Sequence, residues 1–452
     1  MRSVNPCTGE LIQEYPLHSN EEASAIILKT GNAWIKWKST DFQLRSRLMK
    51  RSANILRAEK EALAQLMTLE MGKIIAEAKA EIEKCAWVCE FYAEHAEAFL
   101  ADELVETNAS KSFVSFEPIG TVLAVMPWNF PFWQVFRFAA PALMAGNAAV
   151  LKHASNVPGC ALAIEDIFVK AGFPEHLFRT LMISASQVES VIMNQHVKAV
   201  TLTGSEAAGM SVASIAGRAL KKTVLELGGS DPYIVLEDAD IDTCVSTAVN
   251  SRMINNGQSC IAAKRFIVVE SRLDEFENKK TKIMSTLKAG DPFLATTQIG
   301  PLARGDLRDE LHEQVKSSLQ SGARLLLGGK FIPGPGYFYE PTIISDVKVG
   351  MSIYHEETFG PVSAIIPVKN TEEAIIVANN SDFGLGGSLW TNDLIRGEKL
   401  ARQIESGAVF VNGMTVSDPR LPFGGIKRSG YGRELSHFGI REFTNIKSIW
   451  IA

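Results

Sequence analysis

The sequence is poor in the features of secreted, membrane-spanning and metal-binding proteins. Cysteine occurs only six times in 452 residues, which is too sparse for a disulfide framework. The best candidate for a membrane span, residues 139–151, is interrupted by Pro141 and Asn147 and is shorter than the roughly 20 apolar residues that a span needs. The eight histidines show no HxH, HExxH or His–Cys spacing, so we expect no metal site.

An excess of basic charge is also missing. Lys and Arg number 46 against 51 Asp and Glu, a formal net charge of −5, whereas binding to nucleic acid requires a basic surplus. Residues 1–10 contain one Arg and no apolar run, so we expect no signal peptide. We therefore expect a soluble, cytoplasmic protein whose partners are neither nucleic acid nor membrane.

The spacing of the apolar residues predicts an α/β fold. Helical periodicity covers residues 21–37, 42–71 and 73–100. Between residues 119 and 227, short apolar runs alternate with helical segments, which predicts a doubly wound parallel sheet. A second α/β series extends to residue 412, and the segments 111–117 and 442–451 have the pattern of strands.

Polar residues follow several of these strands, at the edge where open α/β sheets bind ligands. Asn129 lies between two prolines after the strand 121–126 and can donate a hydrogen bond to an oxyanion, although the segment alone is more typical of a turn. Lys152 and Ser155 follow another strand, a placement that suits a ribose or a phosphate. Gly204 opens the next helix, whose N-terminal amides can bind phosphate.

Two further residues can carry chemistry. Glu226 ends an apolar strand, and burial would raise its pKa into the range that a general base requires, although an ion-paired Glu is an equal alternative. Cys260 follows a polar loop broken by Gly257, where a thiolate can be exposed. A lone cysteine at such a place is usually structural.

Together, seven segments resemble the NAD(P)-dependent aldehyde dehydrogenase superfamily in sequence and in order. They are PWNFP (127–131), LK (151–152), TGS (203–205) followed by Gly209, LELGG (225–229), GQSC (257–260), EETFGP (356–361) and PFGGIKRSG (422–430). The resemblance implies a dinucleotide-binding domain (1–100 and 119–226), a catalytic domain (227–430) and a β-strand oligomerisation arm (101–118 and 431–452). Members of the superfamily are dimers or tetramers, so we expect a homo-oligomer.

The resemblance also implies the roles of single residues. Cys260 matches the nucleophile, Glu226 the general base, and Asn129 with the Cys260 backbone N–H the oxyanion hole. The positions that match cofactor contacts are Trp128, Lys152, Ser155, Gly204, Ser205, Glu357 and Phe359. Strictly NAD-using members often have Glu at the position of Ser155, where it would repel a 2′-phosphate, so we expect NADP as well as NAD to be accepted.

Three segments, 151–156, 227–232 and 432–439, are similar to the shorter bacterial succinate-semialdehyde dehydrogenases. A substrate with a distal carboxylate requires a cation in its tunnel. Arg137 and Ser417 match residues that such enzymes use, and Arg420 is the candidate replacement for a second Arg. A salt bridge on the helix surface or at a subunit interface is the alternative role of Arg137.

We therefore expect the oxidation of succinate semialdehyde to succinate through a cysteine thioester. One alternative is an uncharged or aromatic aldehyde, favoured by four aromatic residues near the tunnel, Phe130, Phe132, Trp133 and Phe136. The other is a cysteine hydrolase without cofactor, which would leave Lys152, Gly204 and Glu357 without a role.

Overall fold

The computed structural model describes residues 1–452, and its amino-terminal hundred residues are mainly helical, as expected. Four helices fill this part: α1 (Asn20–Trp37), α2 (Phe42–Ala58), α3 (Lys60–Met71) and α4 (Ile75–Phe99). Two short strands, β1 (Arg2–Val4) and β2 (Leu11–Glu14), precede them. The predicted helix over 42–71 is divided in two, because Glu59 has non-helical backbone angles.

The next elements form the sheet that carries most of the predicted motifs. The strands are β3 (Glu103–Leu104), β4 (Lys111–Pro118), β5 (Thr121–Met126), β6 (Ala148–His153), β7 (Phe178–Thr180), β8 (Val197–Thr203) and β9 (Lys222–Glu226). The helices between them are α5 (Trp133–Met144), α6 (Pro158–Ala171), α7 (Val188–Met193) and α8 (Glu206–Arg218).

The remaining elements complete a second sheet and the carboxyl end. The strands are β10 (Asp231–Val235), β11 (Ala263–Val269), β12 (Arg324–Leu327), β13 (Thr342–Ser345), β14 (Val362–Val368), β15 (Phe383–Gly384), β16 (Gly386–Trp390), β17 (Ala408–Val411), β18 (Ile426–Lys427), β19 (Gly430–Tyr431) and β20 (Thr444–Ile451). The helices are α9 (Ile241–Met253), α10 (Glu270–Met284), α11 (Gly305–Gln320), α12 (Ser352–His355), α13 (Thr371–Asn379), α14 (Leu394–Ala401) and α15 (Ser436–Glu442).

The first large sheet confirms the α/β expectation. Its order is β19-β9-β8-β5-β6-β7, with all neighbours parallel except the β19–β9 pair. The chain passes from β5 to β6 and β7 on one side and then to β8 and β9 on the other. Since β5 lies at this reversal, the carboxyl ends of β5 and β8 border the crevice in which such sheets bind ligands.

The second sheet has seven strands in the order β12-β13-β14-β11-β10-β16-β17. Only the β12–β13 pair is antiparallel. A third, antiparallel sheet joins β20, β4 and β3. The strand expected over 442–451 begins only at Thr444, because helix α15 continues to Glu442.

Helix α5 lies in the interior of the protein, together with its polar residues. Every residue from Trp133 to Met144 is buried, including Gln134 and Arg137. Its N-terminus is capped by Glu81 of α4, whose carboxylate accepts hydrogen bonds of 2.9 Å from the backbone N–H groups of Phe132 and Trp133. None of the helices is long and apolar enough to cross a membrane.

Candidate active site

Cys260 lies between α9 and β11, after a loop whose conformation is fixed by its own asparagine residues. Asn255 and Asn256 have φ angles of 52° and 56°, a left-handed conformation that asparagine tolerates better than most residues. The Asn255 amide Nδ2 donates to the backbone oxygens of Asn129 (2.7 Å) and Gln258 (3.1 Å). These bonds tie the cysteine loop to the PWNFP segment.

Two cavities meet at Cys260. The first has a volume of about 640 Å³, and six of the predicted site residues line it together with Cys260: Trp128, Asn129, Gly204, Ser205, Glu357 and Phe359. The second is smaller, about 210 Å³, and is bounded by α4, α5, the cysteine loop and the segment around Ser417. Cys260 is half-buried and lines both cavities.

The first cavity has the features of a nucleotide site. Ser205 caps helix α8, with its hydroxyl accepting from the Ala208 N–H at 3.4 Å, so the amino end of that helix and its partial positive charge border the cavity. A Cβ atom on Gly204 would have only one atom within 4 Å, at 3.7 Å. The rings of Trp128 and Phe359 meet edge-on, with centroids 5.7 Å apart.

Glu357 presents one free carboxylate oxygen to this cavity. Its Oε1 accepts from the Gly229 N–H at 3.0 Å and pairs with the Lys264 ammonium at 3.1 Å. A side chain at Gly228 would collide with Oε2, and one at Gly229 would collide with the Cys260 backbone oxygen. These two contacts explain the paired glycines of LELGG. An oriented carboxylate with a free oxygen is a suitable acceptor for ribose hydroxyls.

Lys152 and Ser155 do not line the first cavity. Lys152 is in β6 opposite Val125 of β5, so it lies beside the strand that leads to the PWNFP segment. Burial lowers its pKa. Ser155 is exposed two residues beyond the end of β6. Their contact with a cofactor stays a prediction.

The Cys260 thiol is protonated at neutral pH. Burial raises its pKa to about 12, against the opposing charges of Lys264 and Arg137. Lys264 also donates to the Cys260 backbone oxygen at 2.8 Å and thereby fixes the loop. A nucleophilic role for the thiol therefore requires a group that removes its proton.

Glu226 is suited to remove protons. It ends β9 and is only 2 % exposed, and neither carboxylate oxygen has a hydrogen-bond partner. Burial, and then the neighbouring Glu434, raise its pKa well above the usual range of a carboxyl group. Glu226 lines neither cavity, but the next residue, Leu227, lines the first.

Asn129 has the orientation of a hydrogen-bond donor beside the thiol. It is 5 % exposed, and its Nδ2 donates to the Gln258 backbone oxygen at 3.1 Å. A primary amide has two N–H groups, so one remains for an oxyanion formed at the thiol.

Two of the three predicted substrate contacts line the second cavity, and the third does not. Arg137 lines the second cavity, but its guanidinium forms an ion pair with Glu434. Ser417 also lines this cavity, and its Oγ accepts from Lys84 Nζ at 2.7 Å. Arg420 does not reach it, because Asp418, two residues away, binds its guanidinium at 2.6 Å on the protein surface.

Three charged residues of this region were missed by the sequence reasoning. They are Lys84, Lys264 and Glu434. Glu77, Glu81 and Lys84 all line the second cavity, and their spacing along α4 marks one helix face. A charged helix face is usually solvent-exposed, so the pattern alone does not distinguish a cavity wall. No three His, Cys, Asp or Glu side chains come together to hold a metal ion.

Comparison with known proteins agrees with this geometry. Residues 1–449 match the sequence profile of the aldehyde dehydrogenase family. The chain belongs to the aldehyde dehydrogenase family.

Several members of the aldehyde dehydrogenase family are similar to this protein over their full length. A probable NADP(+) succinate-semialdehyde dehydrogenase from Synechocystis sp. is 54% identical over 450 residues, covering all of this chain and 99% of that protein. NADP(+) succinate-semialdehyde dehydrogenase 1 from Mycobacterium tuberculosis is 50% identical, with the same coverage. The succinic semialdehyde dehydrogenase of Streptococcus pyogenes, solved in complex with NADP+, has a TM-score of 0.98 at 40% identity, over 100% of this chain and 99% of that one.

The residues of the first cavity fit the cofactor of an aldehyde dehydrogenase. The free Oε2 of Glu357 can accept hydrogen bonds, and the amino end of α8 can donate them. Gly204 leaves open space for the cofactor. Phosphate groups are bound by such helix ends. The first cavity therefore suits the cofactor, and the second is available for an aldehyde.

Proposed function

We propose that this protein oxidises succinate semialdehyde to succinate with NADP+, through a thioester on Cys260. The observation that carries the proposal is the position of Cys260 at the junction of two cavities, one suited to a nucleotide and the other containing cationic side chains. The similar proteins from Synechocystis and Mycobacterium are named for this substrate and cofactor.

Cys260 begins the reaction. Its thiol gives up a proton, which is released to the solvent as the net proton of the oxidation, and the sulfur adds to the aldehyde carbon. The resulting oxyanion accepts hydrogen bonds from the free Asn129 N–H and the Cys260 backbone N–H. When bound, NADP+ supplies the acceptor for the hydride that leaves this carbon. The product on the enzyme is a succinyl thioester.

Glu226 completes the turnover. Its unpartnered carboxylate removes a proton from water, which attacks the thioester, and the sulfur leaves and recovers a proton to regenerate the thiol. The raised pKa of Glu226 makes it a stronger base than an exposed carboxylate. One water is consumed and one carboxylic acid is released for each aldehyde oxidised.

NADP as the cofactor is supported by Ser155 and Lys152. A hydroxyl at position 155 leaves room for a 2′-phosphate that a carboxylate would repel, and the Lys152 ammonium supplies an attractive charge. NAD has no 2′-phosphate and remains a second cofactor.

The proposal also includes the domain organisation, the oligomeric state and the localisation of the protein. Residues 1–100 and 119–226 are proposed to form the dinucleotide-binding domain and residues 227–430 the catalytic domain. The antiparallel strands β20, β4 and β3 are proposed to pair subunits into a dimer or tetramer. All six cysteines are free, which agrees with a reducing, cytoplasmic environment.

A second candidate is an uncharged or aromatic aldehyde. Phe130, Trp133 and Phe423 line the second cavity, and these rings favour an apolar substrate. Phe132 and Phe136, by contrast, are fully buried and line neither cavity.

Spectrophotometric assays of NADPH formation test the proposal. The purified protein is supplied with succinate semialdehyde, butanal or benzaldehyde and with NADP+ or NAD+. We expect the highest kcat/KM for succinate semialdehyde with NADP+, and succinate as the product. A higher kcat/KM for an uncharged aldehyde would replace the proposed substrate. No reduced cofactor with any aldehyde, together with cofactor-free hydrolysis of an ester such as p-nitrophenyl acetate, would indicate the cysteine hydrolase.

A further inference from the structure

Lys84 is the cation of the second cavity that lacks a counter-ion. Its ammonium lies 4.1 Å from the centre of the Trp133 ring and donates to Ser417 Oγ at 2.7 Å. Both of these partners are neutral, and Lys84 makes no ion pair. A largely desolvated cation without a counter-ion is costly, so the pocket favours an anion beside it.

The other cations near the cavity already have carboxylate partners. Arg137 is paired with Glu434, where the two side chains are 2 % and 5 % exposed. Lys73 is paired with Glu81, in an equally buried contact. A ligand anion would compete with these carboxylates at Arg137 or Lys73, whereas at Lys84 it meets no competitor.

The carboxylates in the cavity wall are also engaged. Glu81 holds Lys73 and caps helix α5. Glu77 accepts the Asn255 backbone N–H at 3.0 Å, and burial raises its pKa to about 6. Neither carboxylate neutralises Lys84.

A second, independent feature also points to a polar ligand. Ser259 is completely buried, lines this cavity and has a hydroxyl without a hydrogen-bond partner. Ser417 accepts from Lys84 and still has its own O–H to donate. Two hydroxyl donors and an ammonium match the acceptor oxygens of a carboxylate.

The size of the cavity agrees with a short substrate. Its volume of about 210 Å³ equals roughly seven water molecules at ~30 Å³ each. Cys260 lines the same cavity as Lys84. The cavity therefore has room for a four-carbon chain, and the thiol and the lysine that would contact its two ends both line the wall.

We propose that Lys84 binds the distal carboxylate of the substrate, with Ser417 and Ser259 as hydroxyl donors, and is thereby the residue that selects a carboxylated aldehyde. This inference rests on the proposed function, since it names the group that recognises the proposed substrate. It assigns to α4 the role that the sequence analysis expected of Arg137 and Arg420.

The test compares two substrates that differ in one charge, succinate semialdehyde and its methyl ester, methyl 4-oxobutanoate. Lys84→Met preserves the aliphatic stem over Trp133 and removes the ammonium. We expect kcat/KM for succinate semialdehyde to fall about 10- to 150-fold, the range of a charge-assisted hydrogen bond, mainly through KM. The ester should be affected little, and Lys84→Arg should recover part of the loss.

Lys79→Met is the matched control. Lys79 is on the same helix and pairs with Glu61 at 2.7 Å, outside the cavity, so its removal should leave both substrates unchanged. If the wild-type protein does not prefer the acid over its ester, the proposed function itself fails. If the wild type shows the preference and Lys84→Met retains it, the assignment of Lys84 alone is overturned.

A second measurement needs no variant. Burial and the charge of Arg137 on α5 lower the pKa of Lys84 to about 8, opposed by Cys85 and Glu81 on its own helix and by Asp418 of the facing loop. The ammonium is therefore lost as the pH rises through about 8. The ratio of kcat/KM for the acid to that for the ester should fall above this pH, because titration of Cys260 and Glu226 affects both substrates alike. A ratio that is constant between pH about 6.5 and about 9.5 would contradict the role of Lys84.

Discussion

Arg137 and Glu434 form an ion pair in the interior of the protein, where their side chains are 2 % and 5 % exposed. The same guanidinium donates to Thr203 Oγ1 at 3.3 Å and lies 4.6 Å from the centre of the Phe423 ring. Glu434 in turn raises the pKa of Glu226, while Arg137 lowers it. Arg137 is thus connected to the general base as well as to the substrate cavity.

The first prediction follows from this pair. Arg137→Met leaves Glu434 buried without a partner, so we expect the free energy of unfolding to fall by about 3 to 5 kcal/mol. Activity toward succinate semialdehyde and methyl 4-oxobutanoate should fall in parallel. Thermal or urea unfolding and the two kcat/KM values measure these effects.

The control for this variant is Arg420→Met. Arg420 is on the surface, with a side chain 70 % exposed, and its loss should change stability by no more than about 0.5 kcal/mol. A loss confined to succinate semialdehyde in Arg137→Met, with unchanged stability, would return the role of carboxylate binding to Arg137.

The second prediction concerns the nucleophile. Cys260→Ala should lower turnover at least about 10⁴-fold, the scale on which loss of a nucleophile acts in covalent enzymes. NADPH binding, followed by fluorescence titration, should change little, because Cys260 contributes no charge to the nucleotide side. The buried Cys160 provides the control, since Cys160→Ala should retain turnover. Substantial turnover in Cys260→Ala would exclude the thioester mechanism.

The third prediction separates the two half-reactions. In Glu226→Gln the base for hydrolysis is lost, so one equivalent of NADPH should form rapidly and steady turnover should then collapse. Stopped-flow absorbance measures the burst. If the burst also disappears, Glu226 is the group that takes the proton from Cys260, whose pKa burial raises to about 12.

The fourth prediction concerns the choice of cofactor. Ser155→Glu should raise KM for NADP+ about tenfold or more through repulsion of the 2′-phosphate, while KM for NAD+ changes little or falls. Ser155→Gln has nearly the same shape without the charge and should have a smaller effect. Equal changes for both cofactors would show that residue 155 does not face the ribose.

The local sequence pattern was sufficient to predict the fold class and the residues that line the crevice. The alternation of apolar runs and helices predicted the parallel sheet, and the resemblance placed Trp128, Gly204 and Glu357, which all line the first cavity. These residues lie on loops that follow strand ends or that are approached closely by other backbone segments. Such positions restrict the residue type locally, so the sequence alone indicates them.

The substrate cavity was less predictable because it depends on which buried charges find each other. Lys84 and Ser417 are 333 positions apart and yet form a hydrogen bond. Arg137 and Glu434 are similarly distant in sequence. No local pattern records such partners, and the capture of Arg420 by Asp418 depends on a loop conformation that spacing does not specify.

The most direct measurement of the central claim is the mass of the Glu226→Gln protein after brief exposure to succinate semialdehyde and NADP+, followed by acid quenching and peptide mapping. The account predicts one succinyl group on the peptide that contains Cys260, with one NADPH formed for each group and none when NADP+ is omitted. Acylation of another residue, or NADPH formation without any acylated Cys260, would contradict it.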